Sequence, residues 1–274
     1  MSDPVVGLVC DAQAAIGESP VWRDGTLWWT DPVNCRLLQW SDAGFDATLA
    51  DAPVWSLAML TTGDFVGSRD DRFCVVSPQG VSDGPVAALD PGCRFNDMAV
   101  DRQGGLWVGA MHRGVLATRG SIYHARSMDA VPRRVAHGLG VPNGMKVSTD
   151  GETLYVVDTL ERTLLAYPIT SEGLGEPRIV CDFLGRPGKP DGMVLAPDGG
   201  FWVAMWGGGA VVRIAPDGAF LQSVAIPAPH VSSLCFAGAD RLFVTTSRMR
   251  LGPPALAEWP GSGGVFEIRL KDAA

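Results

Sequence analysis

Six copies of one strand–turn–strand pattern run along this 274-residue chain. The core of the repeat is an apolar alternating strand, a Gly/Asp turn, then a strand opening with an aromatic pair. The copies read ESPVWRDGTLWWTD from Glu18, WSLAMLTTGDFVGS from Trp55 and NDMAVDRQGGLWVGA from Asn96. They continue as NGMKVSTDGETLYVVD from Asn143, DGMVLAPDGGFWVAM from Asp191 and SSLCFAGADRLFVTT from Ser232. Successive starts are 37, 41, 47, 48 and 41 residues apart. A period of about 40–48 residues is that of a β-propeller blade with four strands. A third strand follows each copy, opening at Arg36, Arg72, Ser121, Thr163, Ala210 and Gly264. Five blades also carry a fourth strand, such as FDATLA from Phe45, RIVCDF from Arg178 and FLQSVAI from Phe220. The sixth blade runs out of chain near Leu270, while the apolar stretch Val5 to Cys10 belongs to no copy. The expected fold is therefore an all-β, six-bladed propeller, four antiparallel strands per blade. Pairing of the N- and C-terminal strands would close the ring and remove its open edges.

Composition agrees with that reading and excludes others. Gly 34 and Pro 20 punctuate the chain too often for long helices. No linker or shift of composition divides it, so residues 1–274 are expected to form one domain. The formal charge is −8, and no basic run exceeds Arg133–Arg134, which argues against nucleic acid or an anionic membrane as partner. No apolar run approaches the roughly 18 residues of a membrane span. The start Met1-Ser2-Asp3-Pro4 lacks the features of a signal peptide, so a cytoplasmic location is expected. The six cysteines form no C-x-x-C pair, and reduced thiols are the expectation. A closed ring leaves no obligatory edge, so a monomer is expected.

Equivalent positions in a propeller are related by rotation about the central axis. The first position of each copy begins the innermost strand, where a side chain can point toward that axis. These positions hold Glu18, Trp55, Asn96, Asn143, Asp191 and Ser232. Four carry a carboxylate or a carboxamide, and converging oxygen donors suit a hard divalent cation. The competing reading is that Asn143-Gly144 and Asp191-Gly192 are turn dipeptides. Each of those blades already has a hairpin turn downstream, at Asp150-Gly151 and Asp198-Gly199. Spacing alone leaves both readings open.

The stretches GESPVW at Gly17, RFND at Arg94, PNGM at Pro142 and PDGM at Pro190 resemble the motifs of the SMP-30/gluconolactonase/regucalcin family. WGGGAVVRI and the ending GGVFEI are similar too, and the likeness spans nearly the whole chain in order. The resemblance implies a six-bladed propeller that is a metal-dependent sugar lactonase of carbohydrate metabolism. It implies Glu18, Asn143 and Asp191 as metal ligands, with Arg94 and Asn96 on the substrate. It also implies Asp191, or water on the cation, as the group that moves the proton. The substrate would be a small sugar lactone, opened to an aldonic acid. Calcium, zinc, manganese, magnesium and iron(II) all accept such a ligand set.

Two connections between second and third strands are long, Met111 to Gly120 and Arg248 to Gly263, and are candidates for a pocket rim. The first carries His112, Arg113 and Arg119 and lacks the acidic residue that some relatives place there. His112 and Trp206, the latter beside Gly207-Gly208-Gly209, complete the candidate substrate contacts. Trp28, Trp107 and Trp202 recur at one strand position and read as inter-blade core. Asp31 and Asp158 end matching strands and read as structural. Asp97 is expected to hold its loop. No G-x-S-x-G elbow is present, and the glycine run is no dinucleotide fingerprint. Two further readings stay open: an esterase or organophosphate hydrolase using the same site, and a calcium-binding regulatory propeller without turnover.

Overall fold

Each turn of the repeat closes an antiparallel hairpin, and each hairpin grows into a sheet of four strands. At the tightest turn, Asp24 and Gly25 both have positive φ, 48° and 78°, which matches the twist of a two-residue hairpin. The computed structural model, which describes residues 4–77 and 80–270, is a six-bladed β-propeller. Blade one runs Glu18–Arg23, Thr26–Asp31, Arg36–Ser41 and Gly44–Leu49. Blade two runs Ser56–Met59, Phe65–Ser68, Arg72–Ser77 and Gly80–Val86. Blade three runs Cys93–Val100, Leu106–His112, Gly120–Ala125 and Arg133–Leu139. Blade four runs Pro142–Val147, Thr153–Asp158, Thr163–Thr170 and Arg178–Asp182. Blade five runs Lys189–Leu195, Phe201–Trp206, Ala210–Ile214 and Phe220–Ala225. Blade six runs Val231–Phe236, Arg241–Thr246 and Val265–Arg269, and the N-terminal Val5–Cys10 completes it, antiparallel to Val265–Arg269.

Two details depart from the repeat. A two-residue strand, Gly173–Leu174, pairs with the end of the third strand of blade four. The connection after Arg248 contains a short helix, Pro253–Glu258, with proline in its first turn, where no N–H is needed.

The blades fall into two compact units of three. One comprises blades five, six and one; the other, Ala50–Leu184, comprises blades two, three and four. Within each unit the first strands of neighbouring blades lie side by side, so they are the inner ones. Their cores are the faces between blades. Trp202 packs with Leu242, Val244, Phe266 and Ile268 between blades five and six. Trp107 packs with Met145, Leu154 and Tyr167 between blades three and four. Both tryptophans are buried, as expected; Trp28 at the equivalent register is half-buried, and its neighbour Trp29 is the buried one.

Arg213 ties the first hairpin turn of blade five. It is 8% exposed, and its Nη1 donates to the carbonyls of Phe201 (3.1 Å) and Ile214 (2.6 Å) while Nη2 grips both oxygens of Asp198. A Cβ at Gly200 would lie 2.3 Å from Nη1, so only glycine leaves room for the guanidinium. The Gly200 N–H first, and then Arg213, hold the Asp198 carboxyl below its ordinary value against the opposing effect of burial. A lowered carboxyl contributes stability above its unfolded value near 3.9, which is lost as pH falls through the lowered one. Arg213→Leu is expected to cost roughly 1–3 kcal/mol in urea denaturation at neutral pH. It should also flatten the acid limb of stability below about pH 4. Unchanged stability at both ends of that range would contradict this role.

Candidate functional site

The inner strands are interrupted by bulges at the residues that the repeat singles out. Register shifts lie between Glu18 and Val21, between Phe95 and Met98, between Asn143 and Lys146, and between Pro190 and Met193. A bulge adds one residue to one strand and re-aims its side chains. Glu18 and Asn143 stand at the edge of their bulges, and Asn96 and Asp191 stand inside theirs. Asn143-Gly144 and Asp191-Gly192 therefore belong to strands, not to turns.

The segments leading into these strands are held by buried aspartates. Asp158 is 2% exposed, and its carboxylate accepts the N–H groups of Gly140 (2.7 Å), Val141 (3.2 Å), Leu160 (3.1 Å) and Glu161 (3.3 Å). Asp31, fully buried, does the same for Ala15 (3.1 Å) and Ile16 (3.3 Å), with Asn34 and Arg36 as further donors. These contacts end two residues before Asn143 and Glu18, so the structural reading of both aspartates holds. Blade five has Met205 at the matching place and uses direct backbone approach instead. A Cβ on Gly188 would lie 2.4 Å from the Gly208 nitrogen, and one on Gly208 would lie 2.5 Å from the Pro187 oxygen.

In the unit of blades two to four, three candidate residues form one hydrogen-bonded chain. The Arg94 guanidinium lies over the Trp55 ring, 3.5 Å from its centroid. Its Nη1 donates to the Phe95 carbonyl (2.7 Å) and to Asn96 Oδ1 (2.9 Å). Asn96 Nδ2 donates to the Pro142 carbonyl (3.1 Å) and to Asn143 Oδ1 (2.6 Å). Asn143 Nδ2 donates to Thr159 Oγ1 (2.9 Å). Asn143 thus turns its nitrogen to Thr159, and its oxygen keeps a second lone pair. Asp97 accepts from the N–H of Met98 (2.8 Å) and Met145 (3.0 Å), which holds the adjoining loop as expected.

His112 ends the strand beside Arg94: Cys93 pairs with His112, and Arg94 with Met111. Its Nδ1 accepts from the Gly114 N–H (3.0 Å), and its ring packs on Gly92. In the same loop, Arg113 pairs with Asp70 at 2.8 Å and Arg119 donates to the Pro91 carbonyl (3.5 Å).

In the unit of blades five, six and one, Asp191 is 6% exposed and Glu18 half-buried. A Cβ at Gly192 would lie 2.4 Å from Ser233 Oγ, so glycine after Asp191 lets the inner strands of blades five and six close up. Ser232 is fully buried and donates to the Gly17 carbonyl at 2.5 Å, which anchors the residue before Glu18. Trp206 stacks on His230, ring centroids 4.5 Å apart and 5° from parallel. His230 lies in the segment before the first strand of blade six, and no local pattern in the sequence pairs it with Trp206 of blade five.

A cleft of about 800 Å³ opens beside Asp101, Trp107, His124, Arg126 and Glu172, at the far end of the blade-three strand from Arg94, and none of the candidate residues lines it. Among the described residues, no three His, Cys, Asp or Glu side chains gather as a metal-binding group. The expected set has two carboxylates and a carboxamide. All are oxygen donors of the kind a hard cation takes, and the Asn143 amide is oriented by Thr159 to offer its oxygen.

A family model described as the SMP-30/Gluconolactonase/LRE-like region matches residues 16–248. Regucalcin of Oryctolagus cuniculus is 30% identical over 285 residues, covering 98% of this chain and 95% of that protein. Among solved structures, a calcium-binding protein, regucalcin, of Agrobacterium tumefaciens aligns with TM-score 0.86 at 26% identity, over 98% of this chain and 95% of its own. A gluconolactonase of Xanthomonas campestris aligns with TM-score 0.79 at 24% identity, over 98% and 91%.

Asp158→Ala would leave four backbone N–H groups without their acceptor. The expected cost is about 2–4 kcal/mol. Hydrogen exchange at Gly140 and Val141 should accelerate more than in the blade-four strands. Exchange that is unaltered at those two amides would remove Asp158 from this role.

Proposed function

The chain belongs to the SMP-30/gluconolactonase/LRE-like family, and from that premise we propose that it is a metal-dependent hydrolase that opens sugar lactones to aldonic acids. The observation that carries the reading is the hydrogen-bonded chain Arg94–Asn96–Asn143. It places two residues proposed for the substrate beside one proposed for the metal, and a cation that polarises a bound carbonyl must lie close to the groups that bind the substrate. Glu18, Asn143 and Asp191 are the assigned ligands. Their support is their matching place, at or within the bulge of the inner strand in three blades.

A bound divalent cation would polarise the lactone carbonyl and stabilise the negative charge that develops on its oxygen. Asp191 takes a proton from the attacking water, whose oxygen bonds to the carbonyl carbon. The bond from that carbon to the ring oxygen breaks, and the proton passes to the departing ring oxygen, which becomes a hydroxyl. The product is an aldonic acid, so the solution acidifies as it ionises. Arg94 presents a planar set of donors to sugar oxygens, and Asn96 can both donate and accept. His112 and Trp206 are the further residues proposed to contact the substrate.

The test is hydrolysis of glucono-, galactono-, xylono- and arabinonolactone by metal-stripped protein with single cations restored, followed by pH. Turnover restored by one cation is expected. Tight cation binding without turnover above the spontaneous rate would favour the reading of a calcium-binding regulatory propeller; the regucalcin of Agrobacterium tumefaciens is described as a calcium-binding protein. Asp191→Ala should lose at least about 10³-fold in kcat with the fold retained. Glu18→Gln should weaken cation binding by about tenfold or more, measured calorimetrically. Unchanged affinity would remove Glu18 from the ligand set.

A further inference from the structure

Trp55 occupies the first repeat position of blade two, the place held elsewhere by Glu18, Asn96, Asn143 and Asp191. An aromatic ring there invites the reading of a platform for the sugar. The geometry points elsewhere. The guanidinium carbon of Arg94 lies 3.5 Å from the ring centroid, in van der Waals contact, so that face is already covered.

Trp55 is anchored through both its backbone and its ring. The Trp55 N–H donates to the Ser68 carbonyl at 2.8 Å, and its indole Nε1 donates to Asp70 Oδ1 at 2.8 Å. The other oxygen of Asp70 is held by Arg113 at 2.8 Å. Asp70 also fixes the neighbour of Arg94, because its carbonyl accepts the Phe95 N–H at 2.7 Å. Burial raises the Asp70 carboxyl, but the hydrogen bonds from Trp55 and Arg113 and the charge of Arg94 outweigh it, so the group sits below its ordinary value and stays ionised at neutral pH.

We infer that Trp55, braced by Asp70, is a positioning residue that holds the Arg94 guanidinium in its substrate-binding orientation rather than stacking on sugar. An arginine side chain has many rotamers, and ordering it only when substrate arrives would weaken binding. The Trp55 face removes that cost beforehand, while the Phe95 carbonyl and Asn96 Oδ1 hold one edge of the guanidinium through Nη1. This inference rests on the reading that Arg94 meets the substrate.

The test compares wild type with Trp55→Leu and Trp55→Phe. Leucine removes the aromatic face; phenylalanine keeps a face and loses only the bond to Asp70. Trp55→Leu is expected to raise KM about tenfold, with kcat and cation affinity within about twofold of wild type. Trp55→Phe should recover most of that loss. An unchanged KM in Trp55→Leu would overturn the inference. So would a joint fall of kcat, cation affinity and melting temperature that phenylalanine does not rescue, since that is the mark of a merely structural residue. Crystal structures of the two variants give a second readout, independent of turnover. Arg94 should leave its position in Trp55→Leu and keep it in Trp55→Phe. If wild type hydrolyses no lactone, the proposed function falls, and these structures still decide: an Arg94 that stays in place without Trp55 refutes the positioning role.

Discussion

Two buried aspartates bear the arrangement of the candidate residues. A carboxylate removed from water is costly unless its oxygens are met by donors. Asp31 and Asp158 meet that requirement with backbone N–H groups of segments that would otherwise be irregular. Each therefore fixes the chain just before the strand that carries an assigned ligand, Glu18 in one case and Asn143 in the other. Blade five reaches the same end without a charge, through glycines that let Pro187–Gly188 lie against Gly208. The repeat thus conserves a function, the fixing of the strand entry, while changing the chemistry that performs it.

On that base, the bulges decide where the side chains go. A regular strand alternates its residues between two faces, and an inner strand would give each face a fixed share. One extra residue, at Asn96 and Asp191 and just after Asn143, breaks the alternation and re-aims a polar side chain. The neighbouring positions remain core: Phe95, Met98, Met145 and Met193 are all buried. The same short stretch supplies both packing and chemistry, which explains why the motifs are so compact in sequence.

The propeller was legible because its evidence is periodic. Six spaced hairpins, plus an unused apolar strand at the start, determine the number of blades and the way the last one is completed. The candidate polar residues were legible for the same reason, as equivalent positions in a rotating repeat. Contacts between blades were not legible. Trp55 over Arg94, Trp206 on His230 and Ser232 under Gly17 each join residues from different repeats, and no local pattern pairs them. Thr159 could have been suspected, since it follows the matching aspartate of blade four, but its bond to Asn143 depends on the bulge. The helix at Pro253–Glu258 was hidden by its brevity and its two prolines, which read as loop.

The central proposal is that Glu18, Asn143 and Asp191 are the ligands of one catalytic cation. Anomalous diffraction from crystals soaked in manganese tests it most directly. The account predicts one strong peak, with oxygens of all three side chains at about 2.0–2.6 Å. A peak coordinated by other residues, or a saturating soak that leaves these three without a metal, would contradict it.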